Sequence, residues 1–384
     1  MDFGFGDDQE LLRETTRRFL AERQSLPDVR RSIEESDVFD PAIWRQGAAL
    51  GWAAMLIPPQ YEGGSVTEQP VVDLVVLGEE LGRTLNPGPF VPCNVVAGAI
   101  ARFGTEDQAL QHLPRLASGE ATAAWCLSGD GSPDAGAVEV RAEREGDGWR
   151  LHGEARYVQA AQNASILLVG AIDPAGALCQ LIVPRPTAGL SERTISGLDV
   201  TRRFAEVRFD GVTVPAANLL SGGLDAVDFC ISLATVLQAA ESVGAADVLF
   251  DATVDYAKKR VQFGRTIGSF QAIKHRLADL LLQLEAMRAA TYYAALAFGD
   301  GLDDAAEAVA TAGAYVDGAF AHLCGEALQL HGGIGFTWEH DVHLFMRRAK
   351  ANQVLYGDGA WHRERLVRLL EATVGDEVLP GGGR

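Results

Sequence analysis

From residue 223 onward the chain is alanine-rich, and five long segments read as helices: 224–261, 269–299, 303–331, 339–352 and 360–373. Apolar residues fall on several faces of these segments, not on one stripe. A helix of that kind cannot lie on a surface; it must be buried in a bundle or at a subunit interface. With 384 residues the chain is also too long for one core, so two or three packed units are expected.

The first 122 residues are helical as well. DDQELLRETTRRFLAER carries acids at its start, as a helix N-terminus prefers, and VVDLVVLGEELGR and NVVAGAIARFG follow, broken by PPQYEGG and NPGPFVP. Between residues 123 and 222 the texture changes. VEVRAEREGDGWRLHGEARYVQ, SILLVGAID, LCQLIVPR and FAEVRFDGVTV are short, β-branched, partly alternating runs separated by Asp-Gly and Pro turns. The expected fold class is therefore α+β: a helical N-terminal domain (1–122), a middle antiparallel β domain (123–222) and a C-terminal helical bundle (223–384). The ending GDEVLPGGGR reads as a frayed tail.

Acidic residues outnumber basic ones 52 to 33, a net charge of −19. That field repels nucleic acid and anionic membrane, and an anionic ligand would need local arginines to overcome it. The five cysteines are scattered, without a Cys-x-x-Cys pair, so neither a zinc site nor a disulfide framework is expected, and a reducing cytoplasm fits. No signal peptide and no uninterrupted apolar stretch of membrane-spanning length is visible. No Gly-x-Gly-x-x-Gly follows a strand and no Walker-type loop occurs.

Five segments in order carry a resemblance: LGWAAMLIPPQYEGG, WCLSGDGSPDAG, YAKKRVQFGRTIGSFQAIKHRLADL, LQLHGGIGFTWEHDVHLFMRRAK and NQVLYGDGAWHRERL. Together they resemble the acyl-CoA dehydrogenases over nearly the whole chain. The resemblance implies a C-terminal four-helix bundle, FAD held between β domain and bundle, and a dimer or dimer of dimers. It also implies an acyl-CoA substrate and electron-transfer flavoprotein as oxidant. In such enzymes a carboxylate removes the α-proton while the β-hydrogen leaves as hydride to the flavin, and hydrogen bonds to the thioester oxygen acidify the α-position.

Carried over by motif, Leu127 and Ser128 lie along the flavin ring, Tyr157 covers it and Gln159 meets its polar edge. Arg260, Gln262 and Phe263, with Gln271, match residues that reach the FAD pyrophosphate and adenosine from the neighbouring subunit. Gln329, Gly332 and Gly333 match a turn where backbone passes close to the cofactor. His275 and His331 read as structural hydrogen-bonders.

The usual base is missing. Counted from Arg347-Arg348-Ala349-Lys350, the family's glutamate falls on Tyr356, or on Gly357 with a one-residue gap; a phenol is a poor base at neutral pH. The alternative position used by a minority of the family falls on Ala234. Glu241, seven residues on, is either a relocated base or a buried carboxylate paired with an arginine. Asp358, between Gly357 and Gly359, reads as a helix cap or FAD contact, with a base role as the third option. Some members of the family, in steroid and related CoA-ester degradation, are two-chain heterotetramers in which one chain carries the base and the other completes the flavin site. This sequence resembles the chain lacking the base. Its rival functions are a non-catalytic flavoprotein scaffold that completes a partner's FAD site, an enzyme acting on another thioester or a non-thioester, and a homomeric enzyme. The acyl specificity is not legible.

Overall fold

The computed structural model describes residues 6–35, 38–128 and 132–378. Helix α1 (Asp7–Arg23) starts with three acids in its first turn, where the helix dipole favours negative charge. Helices α2 (Leu26–Glu34) and α3 (Pro41–Ala48) lead to α4 (Pro70–Arg83), α5 (Phe90–Phe103) and α6 (Glu106–Ala117). Helix α5 begins inside NPGPFVP, which had been expected to be a break. Pro92 falls in its first turn, where the missing N–H removes no hydrogen bond.

The sheet contains β1 (Ala123–Cys126), β2 (Arg141–Glu145), β3 (Gly148–Gln159), β4 (Ile166–Ile172), β5 (Leu178–Pro184), β6 (Leu190–Ile195), β7 (Phe204–Pro215) and β8 (Leu219–Leu220). Their order is β6-β7-β3-β2-β4-β5-β8, with β1 beside β4. It is antiparallel except at β4, which runs parallel to β1 and, at one residue pair, to β2. The β2–β3 hairpin intervenes before the chain returns as β4, so β1 and β4 enter in the same direction. Alternation along β1 and β4 sorts two cores: Ala124, Cys126, Leu167 and Val169 pack into a β core, whereas Trp125, Leu127, Ile166 and Leu168 pack toward the helices.

Helices α7 (Gly223–Lys259), α8 (Gln271–Asp300), α9 (Ala305–His331), α10 (Val342–Asn352) and α11 (Gly359–Val378) complete the chain. A two-stranded hairpin, β9 (Val261–Gln262) and β10 (Arg265–Thr266), joins α7 to α8. Residues 375–378 of the expected frayed tail continue α11; 379–384 lie outside the described residues. By length and composition α7 could cross a membrane, but its apolar stretch is buried among the other helices.

Helices α4 and α7 meet backbone to backbone. A Cβ on Gly82 would stand 2.1 Å from the Glu241 carbonyl oxygen, and one on Gly244 1.8 Å from that of Glu79. No larger residue permits this approach. One hydrophobic core therefore runs from Leu20 and Leu74 through Leu237 to Phe320 and Phe345.

Candidate active site

The site forms where the end of β1 meets the turn between α10 and α11. Leu127 and Ser128, just past β1, are buried. Strand β3 loses register with β7 between Ala155 and Val158, and the Arg156 N–H donates instead to the Ser128 carbonyl at 2.9 Å. This irregularity lifts Tyr157 into a left-handed backbone (φ 56°) with its side chain half exposed. Gln159 is buried, and its Oε1 has no hydrogen-bond partner among the described residues.

Two cavities share Tyr157 and Leu355. One, about 40 Å³, is lined by Trp125, Leu127, Ser128, Arg156 and Tyr356. The other, about 420 Å³, is lined by Ile195, Leu198, Asp199, Phe204, Lys350 and Val354.

The remaining expected cofactor residues gather at one end of the bundle. Tyr256 stacks on His331 (centroids 4.4 Å apart) and its hydroxyl donates to the His331 carbonyl at 3.3 Å, which brings the ends of α7 and α9 together. Arg260 ends α7, Gln262 lies on β9, and Phe263, at φ 53°, is 92% exposed. Gln271 opens α8, Gln329 lies exposed in the last turn of α9, and Gly332, at φ 63°, ends that helix beside Gly333. None of these residues lines either cavity. His331 Nδ1 lies 2.8 Å from the Ala327 carbonyl, and burial pushes its pKa below the ordinary histidine value.

Tyr356 stands at φ 58° with its ring stacked on Trp125, and burial pushes its phenol well above the ordinary value. Ala234 is fully buried. Glu241 is 2% exposed and paired with Arg202, which also donates to Asn352 Oδ1 at 2.9 Å. Asn352 Nδ2 donates to Ser242 Oγ at 2.9 Å, and Ser242 Oγ donates to Asp317 at 2.9 Å. Gln238 Nε2 adds a second donor to Asp317 at 2.8 Å, yet burial pushes that carboxyl up to about 6. Asp199 is bound by Arg348 at 2.6 Å; burial opposes its ionisation, but Arg348, Arg202 and Thr201 hold it below the usual carboxylate range. Asp358 accepts the Trp361 N–H at 2.7 Å and so caps α11; Trp361 Nε1 in turn donates to Asp134 at 2.8 Å. Neither Glu241 nor Asp358 lines either of the two cavities. Sequence reading missed Arg202, Asn352, Asp317 and the Trp125–Tyr356 stack. Their partners are distant in the chain, and no local motif links them.

Residues 222–370 match the family model for the acyl-CoA dehydrogenase C-terminal domain, and residues 6–120 match that for the N-terminal domain. The chain belongs to the acyl-CoA dehydrogenase family. Acyl-CoA dehydrogenase IpdE2 of Mycolicibacterium smegmatis is 32% identical over 370 residues, covering 96% of this chain and 99% of that one. Among solved structures, butyryl-CoA dehydrogenase from Megasphaera elsdenii superposes with a TM-score of 0.89 at 26% identity, over 96% of this chain and 100% of that one. The ChsE4-ChsE5 complex from Mycobacterium tuberculosis gives 0.88 at 26% identity, over 97% and 99%.

The cofactor of this acyl-CoA dehydrogenase is FAD. The residues present fit it. The larger cavity has room for a flat ring system, Tyr157 offers an aromatic face at its edge, and the orphaned Gln159 Oε1 offers a buried acceptor nearby. Tyr157 borders both cavities, and Leu127 and Ser128 line the smaller one, so the ring would be held where the two adjoin.

Proposed function

We propose that this chain is a subunit of a flavin-dependent dehydrogenase that introduces an α,β double bond into an acyl-CoA thioester, in a heterotetramer whose partner chain supplies the carboxylate. One observation carries the reading: among the described residues, the carboxylates around the site are already held. Glu241 is paired with Arg202, Asp199 with Arg348, Asp358 caps α11, and Asp134 accepts from Trp361. The family position for the base holds Tyr356, whose phenol keeps its proton. General-base catalysis is typically worth 10²–10⁴-fold, so a chain lacking it is slow alone.

Bound FAD supplies the hydride acceptor. The chain's own part is to hold the ring between Leu127, Ser128 and Tyr157, and to offer the Tyr356 N–H to a thioester oxygen, which needs no particular side chain. Glu241 is read as structural and Asp358 as a cap. The likeness to the ChsE4-ChsE5 complex and to the Tcur3481-Tcur3483 steroid ACAD, the latter 28% identical with a TM-score of 0.86, supports a two-chain assembly and a steroid-type CoA ester. Electron-transfer flavoprotein is the proposed oxidant. A second reading, a scaffold that does no chemistry, draws on the exposure of Arg260, Gln262, Phe263 and Gln271, which leaves them able to complete a partner's FAD site.

The test is anaerobic bleaching of the flavin by acyl-CoA esters, in the isolated homomer and in the complex co-expressed with a glutamate-bearing relative. Bleaching is expected in the complex and slow in the homomer. Rapid reduction of the homomer, abolished by Glu241→Gln, would make Glu241 a relocated base. A fully loaded Asp358→Asn protein reduced a thousandfold more slowly would give that role to Asp358. A complex that is never bleached leaves the scaffold reading.

A further inference from the structure

The turn that carries Tyr356 is gripped through its backbone. Gln238, in the middle of α7 and 2% exposed, donates from Nε2 to the Asn352 carbonyl at 3.0 Å and to the Leu355 carbonyl at 3.4 Å. The same nitrogen donates to Asp317 Oδ2 on α9 at 2.8 Å. An amide nitrogen has two hydrogens, so with one committed to Asp317 the two carbonyls share the other. Ser242, one turn further along α7, donates to the other oxygen of the same carboxylate at 2.9 Å. Helix α7, helix α9 and the α10–α11 turn therefore meet at one side-chain amide.

The Leu355 carbonyl and the Tyr356 N–H belong to one peptide unit. That unit is planar and trans, so the two groups point in opposite directions, and whatever fixes the oxygen fixes the direction of the N–H. The Tyr356 carbonyl, in the next unit, is hydrogen-bonded to the His362 ring. With both carbonyls held, the Tyr356 N–H has no acceptor among the described residues. A donor on the Leu355 oxygen also polarises the peptide, which makes its N–H a stronger donor. A donor fixed in this way needs no reorganisation when charge develops on a substrate oxygen.

We propose that Gln238 is a positioning residue: anchored by Asp317, it aims the Tyr356 N–H at the thioester oxygen. The inference rests on the reading above that this N–H meets that oxygen. Gln238 lines neither cavity, so it acts through the Leu355–Tyr356 peptide and not by touching the substrate.

The test uses the full-length, FAD-loaded chain with its flavin reduced by dithionite beforehand, so that no hydride acceptor is left and the ester is unreactive. The probes are butyryl-CoA, isotope-labelled at the carbonyl carbon, and S-butyl-CoA, which lacks the carbonyl oxygen. Wild type should lower the infrared stretching frequency of the labelled carbonyl relative to the free ester. It should also bind the ester about two- to tenfold more tightly than the thioether, as one hydrogen bond would give. Gln238→Met, an unbranched side chain without a donor, should lose most of that shift and most of the preference, with affinity for S-butyl-CoA within about twofold of wild type. Gln238→Asn, a methylene shorter, is the second variant should the methionine protein lose its cooperative melting, and it should lose at least half of the shift. A folded variant that keeps both the shift and the preference overturns the role of Gln238 and leaves the Tyr356 contact standing. Equal weakening of ester and thioether also overturns it, since that is a general loss of the site. An unshifted carbonyl in wild type removes the Tyr356 contact itself, and the proposal with it.

Discussion

Arg202 and Glu241 are both withdrawn from water, and each is the other's charge partner. Arg202→Met should cost about 3–5 kcal/mol in denaturant unfolding, because it leaves a buried carboxylate without its cation. Arg202→Met with Glu241→Leu should recover most of that loss; a single variant within 1 kcal/mol of wild type, roughly the worth of an exposed pair, would contradict the assignment. Two other buried groups give opposing pH responses. Burial, helped by Arg365, pushes His362 down to about 4 from an ordinary 6.5, so between those values the unfolded chain binds a proton that the native one refuses. Stability is lost as pH falls through that window. Asp317, pushed up to about 6 from 3.8, does the reverse: the native chain binds the extra proton, and stability is lost as pH rises from about 4 to 6. Melting temperature should therefore fall more steeply on acidification in Asp317→Asn than in wild type, and less steeply in His362→Gln. Equal slopes in all three would remove both assignments. At this scale the sequence was only half readable. Glu241 could be read as a buried carboxylate awaiting an arginine, but Arg202 lies 39 positions away on a β-domain loop, and nothing local marks the pairing.

Helices were the more legible elements, because their signals are local. The acids that open α1, the partial alternation of β3 and the continuous apolar run of β4 follow from residues within a few positions of one another. What the elements do to each other was less visible. Gly82 and Gly244 read as ordinary glycines in helical patterns, but their lack of a side chain lets α4 and α7 touch. Gly82→Ala or Gly244→Ala should force the helices apart and cost at or above the upper end of the roughly 1–3 kcal/mol typical of overpacking, since the obstacle is backbone and cannot rotate away. A thermal melt within a degree of wild type for either variant would show that the contact is loose. Gly264→Ala is a useful contrast. Its Cβ would meet nothing within 4 Å, so any loss there comes from backbone strain at φ 79°.

Across the whole molecule, the expected cofactor residues fall into two groups that one chain does not bring to a common cavity. Leu127, Ser128, Tyr157 and Gln159 surround the junction of β domain and bundle, and Arg260, Gln262, Phe263 and Gln271 face outward at the bundle's end. We expect the second group to serve the flavin of an adjoining subunit. Arg260→Ala should then weaken FAD retention roughly tenfold to a hundredfold, as loss of a charge-assisted hydrogen bond would. Fluorescence titration of stripped protein with FAD measures it, and unchanged affinity would remove Arg260 from the site. The family and its layout were legible because five motifs recur in order; the Trp125–Tyr356 stack was not, because it depends on residues from β1 and the α10–α11 turn meeting in space. The unbroken core from Leu20 to Phe345 has a consequence for anyone recombining such chains. The seam near residue 122 looks like a place to cut, yet a chimera joined there would pair two helices from different parents that meet only through glycines on both sides. A donor bringing alanine at the position of Gly82 would arrive with a correct fold of its own and still fail to seat against Glu241.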